Sequence, residues 1–462
     1  MKKIVFSLLC LVLFSVQQGI AQQIKPFQKG DRVAFVGNSI TDGGFYHSYI
    51  WLYYMTHFPF DEMWMANCGV GGDTSLQILK RLDDDVFSKN PTVLMLTFGM
   101  NDSGYYEYNG DNAETFANTK VAEARKNFSQ IEKRLQKLEG VRVVMIGTSP
   151  YDQTSKFNKD VFKNKNNAIQ RMIVFQDSTA KANKWGFVDF NAPMVQINAE
   201  QQMKDPNFTL CGSDRIHPDN DGHLVMAYLF LKAQGLAGKN VASVSVNAQS
   251  RKVVESDNCT ITNLNNNHGV VSFNYLANSL PYPLDTCSQG WNNKKSAAQA
   301  LKAIPQFMNE MNNEHLQVTG LKGNYRLIID DVTIADLSAA QLSKGINLAE
   351  YRNTPQYQQA ATIMALNNDR WEIERHFRDY AWLQYDFFMD KGLLNANNEK
   401  AAQVFREGEM KDGWVAARKN LYDKMIHKEV RDMYKAQMDL IVKKIYEINK
   451  PVDRKIILSP IN

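Results

Sequence analysis

Val33-Ala34-Phe35-Val36-Gly37-Asn38-Ser39-Ile40-Thr41-Asp42-Gly43-Gly44 is the stretch on which the reading of the whole chain turns. Val33 to Val36 has the length and β-branched content of a buried strand, and Gly37 ends it where a tight strand-to-helix turn would follow. Ser39 then stands at the carboxyl end of a central strand, where open α/β sheets gather their chemistry. Taken alone, Gly-x-Ser is a weak signal, because a capping serine after an ordinary strand gives the same letters.

Three later stretches add to it. Asn67-Cys68-Gly69-Val70-Gly71-Gly72-Asp73-Thr74 is a glycine-dense turn with free backbone N–H groups. Val93-Leu94-Met95-Leu96-Thr97-Phe98-Gly99-Met100-Asn101-Asp102 repeats the buried-strand pattern and ends in Gly-x-Asn-Asp. Asp214-Arg215-Ile216-His217-Pro218 sets a carboxylate three residues before a histidine. A nucleophilic serine needs a base for its proton, an acid to orient that base, and donors for the oxyanion. All of these stand in the chain, in order.

In that order the stretches resemble the SGNH hydrolases, also called the GDSL esterase and lipase superfamily, over residues 30 to 236. The resemblance implies a flavodoxin-like three-layer α/β/α sandwich around a parallel sheet, and an exported carboxylic ester hydrolase. It makes Ser39 the nucleophile, His217 the base and Asp214 the residue that orients His217. It also draws the oxyanion hole from the N–H groups of Ser39 and Gly72 and the side-chain amide of Asn101. One departure is visible: Gly37-Asn38-Ser39 replaces the usual Gly-Asp-Ser, which bears on how the nucleophile's loop is braced.

Each role also makes sense from the residue itself. A glycine before Asp73 lets a backbone N–H approach a substrate oxygen with no Cβ in the way, and Asn101 offers an amide donor from the next strand end. Asp-x-x-His brings carboxylate and imidazole together over one irregular or 3₁₀ turn, and Pro218 fixes the exit. The plain structural alternatives are turn punctuation for Gly72, a strand-end cap for Asn101 and a helix cap for Asp214. Tyr105, Tyr106 and Tyr151 lie at strand ends and are candidate substrate contacts, with surface packing as the alternative.

The chain begins Met1-Lys2-Lys3, continues with an apolar core from Ile4 to Val16, and reaches Gly19-Ile20-Ala21, the pattern of a secretory signal peptide over residues 1–21. Cleavage after Ala21 and a periplasmic or secreted protein are expected. No other run is apolar for long enough to span a membrane. A formal charge of +4, part of it from Lys2 and Lys3, argues against a nucleic-acid binder. Cys68, Cys211, Cys259 and Cys287 remain after cleavage; Cys68–Cys211 and Cys259–Cys287 are the favoured pairs if any form, against four buried free thiols. No cofactor is implied. No metal cluster is either: His217 and His223, with Asp219 and Asp221 between them, read as the start of a helix rather than a zinc site.

Residues 22–238 alternate as a parallel α/β unit, with helices over Asn112 to Leu138, Asn166 to Lys184 and Asp219 to Ala233, and strands over Val141 to Gly147 and Phe187 to Phe190. Residues 239–350 read as β-rich, with a helical piece over 296–314 and a hairpin joining Leu316-Gln317-Val318 to the strand ending at Asp330. Residues 351–462 read as helical, with an aromatic stripe that packs on the hydrolase unit or else forms a dimer or glycan face. The expected activity is a serine esterase that removes small acyl groups, acetyl above all, from carbohydrate or another small ester. The alternatives are a lipid or thioester acylhydrolase and an inactive carbohydrate-binding protein.

Overall fold

Strand β1 (Arg32–Gly37) sends alternate side chains into two different cores. Val33 and Phe35 join Tyr46, Ile50, Val225 and Phe230 on one face of the sheet, while Ala34 and Val36 join Ile78, Phe128 and Phe175 on the other. A strand buried on both faces reads as one continuous apolar run, which is why β1 was legible. The computed structural model describes residues 24–157, 161–288 and 294–461. The signal-peptide pattern lies outside these residues.

With β2 (Trp64–Gly69), β3 (Val93–Phe98), β4 (Arg142–Gly147) and β5 (Gly186–Asp189), β1 forms a sheet of order β2-β1-β3-β4-β5 with every pairing parallel. Helices on both faces complete a three-layer α/β/α sandwich. The chain order reverses at β1, so a crevice opens beyond its carboxyl end. Three expected helices run over Ala113–Leu135, Lys165–Ala182 and Asn220–Ala233. Unforeseen are β2 and the helix Tyr46–His57, whose residues are all buried and therefore carry no amphipathic period.

Beyond the sheet the domain reading needs three corrections. Residues 239–350 hold β6 (Ala242–Asn247), β7 (Lys252–Asp257), β8 (Cys259–Asn267), β9 (Val270–Ala277), β10 (Glu314–Thr319), β11 (Asn324–Ile329), β12 (Val332–Ser338) and β13 (Ile346–Asn347). First, β10 and β11 are no hairpin: β10 lies in a sheet of order β13-β10-β6-β7, and β11 in one of order β12-β11-β14-β9-β8. The two sheets share one core that includes Val244, Leu316, Leu327 and Leu458. Second, β14 (Arg454–Ile461) brings the end of the helical region back between β11 and β9. Third, Leu280, Tyr282, Ala300 and Phe307 pack into the hydrolase core rather than the β-sandwich.

The helical region packs onto the hydrolase unit through Trp371 of its aromatic stripe, while Phe387 and Phe388 form a separate core with Phe405 and Tyr422 inside the helical region. Its main helix, Pro355–Trp382, is N-capped by Thr354, with Pro355 in the first turn where its missing N–H costs nothing. Trp371 stacks on Phe45 with ring centroids 4.3 Å apart, and Arg370 lies 4.8 Å from the centroid of Trp51. Among the described residues, Cys68, Cys211, Cys259 and Cys287 are all free thiols, so neither favoured pair forms. Cys68 points from β2 into the core beside Ile78 and Val86, while Cys211 is approached by Asn198 Nδ2 at 3.8 Å.

Candidate active site

Gly37 ends β1 against Thr41, whose Oγ1 would stand 2.2 Å from any Cβ at that position. The chain then makes one helical turn, Ser39–Asp42, capped by Asn38, whose Oδ1 accepts the Ile40 N–H at 3.1 Å. A neutral amide therefore braces this loop where the superfamily usually has a carboxylate. Ser39 is the first residue of the turn. Its Oγ lies 2.7 Å from His217 Nε2, and His217 Nδ1 lies 2.6 Å from Asp214 Oδ2.

The turn that carries Asp214 and His217 is tightly determined. Gly212 takes a φ of +69°, and a Cβ there would meet the His217 carbonyl oxygen at 2.0 Å. Arg215 also takes a positive φ and is anchored by its Nη1, which donates to Asp152 O at 2.9 Å. Asp214 Oδ1 accepts the N–H groups of Ile216 and His217, both at 2.9 Å. Burial pushes the Asp214 carboxyl up, but its hydrogen bond and charge attraction to His217, with the backbone donors, outweigh that and hold it below its ordinary value. An ionised Asp214 on Nδ1 leaves Nε2 facing the serine.

Gly72 takes a φ of +88° with nothing within 4 Å of where a Cβ would sit, so its backbone faces open space. The neighbouring Gly71 N–H donates to Asp42 Oδ2 at 3.0 Å. Asn101 follows β3; its Nδ2 donates to Asp73 O at 2.9 Å and its Oδ1 accepts from the Tyr105 hydroxyl. These two bonds fix the amide's orientation and leave its second hydrogen for the cavity it lines. Asp102, to which no role was assigned from the sequence, ties this strand end to the helix Ser75–Arg81, which follows β2, by accepting Gly99 N–H at 2.9 Å and Ser75 N–H at 2.8 Å.

Ser39, Gly72, Asn101 and His217 form one wall of a cavity of about 570 Å³. The opposite wall is Arg375, Asp379, Trp382, Trp414, Ala417 and Arg418, all from the C-terminal helical region. Arg418 sits 4.3 Å from the Trp382 ring centroid and pairs with Asp379 at 3.0 Å. Asp42 lines the same cavity; burial, and then the nearby Asp379, push its carboxyl up to about 6 against the pull of Arg378 and Arg418.

Tyr105, Tyr106 and Tyr151 do not line this cavity. Tyr105 holds Asn101 from behind, Tyr151 is buried with its hydroxyl accepting the Phe162 N–H at 3.0 Å, and Tyr106 is 80% exposed. The aromatic groups facing the cavity are Trp382 and Trp414, which no motif marks. Trp382 belongs to the aromatic stripe of the helical region, for which a glycan face was one alternative, and Trp414 stands in Asp412-Gly413-Trp414, an indole outside any apolar period. His223 is buried against Tyr46 and Gly44, and its burial lowers it to about 3. Among the described residues, no group of three or more His, Cys, Asp or Glu side chains is placed to hold a metal ion. No helix among them is long and apolar enough to cross a membrane.

Residues 35–225 match the model of the GDSL-like lipase/acylhydrolase family, and residues 361–450 match that of the diltiazem deacetylase C-terminal helical domain. The chain belongs to the GDSL-like lipase/acylhydrolase family and is an ester hydrolase of the SGNH type. It is similar, at 59% identity, to a gut microbial diltiazem-metabolizing enzyme of solved structure, over 95% of this chain and 100% of that one, with a TM-score of 0.94. An acetylxylan esterase from Geobacillus stearothermophilus is 20% identical over 45% of this chain and 95% of its own, with a TM-score of 0.36. Comparison with the curated proteins returns no match.

Proposed function

We propose that the protein is a serine deacetylase acting on esters whose alcohol is bulky and aromatic. The observation that carries this is the hydrogen-bonded series Asp214, His217, Ser39, with contacts of 2.6 Å and 2.7 Å, at the floor of a cavity roofed by Trp382 and Trp414. Ser39 Oγ attacks the ester carbonyl as His217 Nε2 takes its proton. The oxyanion rests on the N–H groups of Ser39 and Gly72 and on Asn101 Nδ2. His217 then protonates the departing alcohol, and water releases acetate from Ser39 by the same route in reverse.

The acetyl preference draws on the family description that matches residues 361–450, and the aromatic alcohol on the indole rings of the roof. Acetylated carbohydrate is the second reading, because Trp414 is 58% exposed and sugar faces stack on indoles. Export remains part of the proposal, on the pattern of residues 1–21. A panel of acetyl esters of fused-ring alcohols, acetylated xylo-oligosaccharides and long-chain acyl esters tests it. The highest kcat/KM is expected on the fused-ring acetates. A clear preference for xylo-oligosaccharides selects the second reading, and turnover of long-chain esters alone overturns both.

A further inference from the structure

The carbonyls of Gly37 and Gly69 end β1 and β2, the strands whose exits deliver Ser39 and Gly72. Both carbonyls are held by guanidinium groups. Arg81 Nη2 donates to Gly37 O at 3.0 Å, and Arg378 Nη1 donates to Gly69 O at 3.3 Å. The two arginines meet on Asp85, which takes Arg81 Nη1 at 2.6 Å and Arg378 Nη2 at 2.8 Å. Arg81 Nε also holds Asp73 Oδ2 at 2.7 Å, and the Asp73 carbonyl is the acceptor for the Asn101 amide. Arg81 and Asp73 belong to the hydrolase unit, whereas Arg378 enters from the helix Pro355–Trp382.

Burial pushes the Asp85 carboxyl up, and Arg378 is the strongest of the attractions that hold it below its ordinary value, but charge alone does not explain the Arg378 fork. Asp85 already has Arg81 and, at 2.8 Å, Lys89. Fastening the helix does not explain it either, because an apolar contact would do so without desolvating a guanidinium. An apolar contact cannot fix a carbonyl, nor grip both oxygens of a carboxylate as Arg378 does through Nη1 at 3.0 Å and Nη2 at 2.8 Å. One grip is on the turn from Gly69 to Asp73 itself, and the other reaches that turn through Asp85 and Arg81, which holds Asp73.

We propose that Arg378 is a positioning residue for ester hydrolysis, through which the C-terminal helical region sets the place of the Gly72 N–H and the Asn101 amide. This rests on the proposed oxyanion roles of those two groups. Displacing such donors by a fraction of an ångström weakens the transition state much more than the bound ester. The helical region thereby acts on the acyl side of the reaction as well as on the alcohol side.

The test is steady-state hydrolysis of p-nitrophenyl acetate by the full chain as wild type, Arg378→Met, Arg378→Lys and Ser39→Ala, with circular dichroism on each. Arg378→Met is expected to lower kcat about 10²-fold with KM within about twofold. Arg378→Lys restores the charge but not the fork, so it is expected to recover only part of the loss. Wild-type kcat in folded Arg378→Met, or a change confined to KM, overturns the proposal. If Arg378→Met does not fold, Arg378→Lys decides: reduced kcat at unchanged KM supports the proposal, and full activity overturns it. Activity in Ser39→Ala would instead overturn the underlying reading of the site.

Discussion

One wall of the cavity comes from the exits of β1, β2 and β3 and the turn bearing His217; the other comes from the helix Pro355–Trp382 and the segment that holds Trp414 and Arg418. On the first wall, each role admits few residue types at a fixed place: a serine after a strand, a glycine with positive φ, an amide at the next strand end. In the proposed function the second wall contacts substrate by surface, and many combinations of indole and charge would serve. The first therefore leaves motifs in the sequence and the second leaves almost none. The first should govern rate, and the second the choice of ester.

Asn101→Ala tests the first wall. It is expected to lower kcat by about 10²–10³, roughly 2.7–4 kcal/mol, with KM little changed, because the amide acts on charge that exists only in the transition state. A large loss of thermal stability with normal kcat in the folded fraction would make Asn101 a strand cap instead.

Asp42 stands where the two walls meet, and its carboxyl, raised from 3.8 to about 6, gives a pH test. A raised acid contributes its stability below the unfolded value and loses it as pH rises through the folded one, here between about 4 and 6. At neutral pH the buried charge costs on the order of 1–3 kcal/mol. Asp42→Asn can still accept the Gly71 N–H, so its Tm should exceed the wild-type Tm near neutrality and converge with it in acid. A Tm difference that stays the same across that range would break the assignment.

Trp382→Ala probes the second wall and should have the smallest effect. It is expected to raise KM for a fused-ring acetate by about tenfold, while methyl acetate stays within about twofold. Equal losses on both esters would mean that Trp382 supports the catalytic wall rather than the alcohol.

The same contrast explains how much of the fold was legible. β1 and β3 are buried on both faces and read as apolar runs, but β2 contains Asn67, whose backbone N–H goes to Glu374 and whose amide goes to the Asp42 carbonyl. Partners that distant leave no local pattern. The fully buried helix Tyr46–His57 hides its period, and β14 finds its partners, β9 and β11, far back along the chain. The turn Gly320-Leu321-Lys322-Gly323 looks like a hairpin loop, but it carries the chain between two packed sheets. The tyrosines misled for a related reason: Tyr105 is close to the site in space, yet it faces the back of Asn101.

The most direct test of the central claim, acyl transfer through Ser39, is rapid-quench mass spectrometry of the full chain mixed with p-nitrophenyl acetate. A single acetyl group is expected on the peptide that contains Ser39, formed before steady state and absent from Ser39→Ala. Turnover with no acetyl group on that peptide, or acetylation that persists in Ser39→Ala, would contradict it.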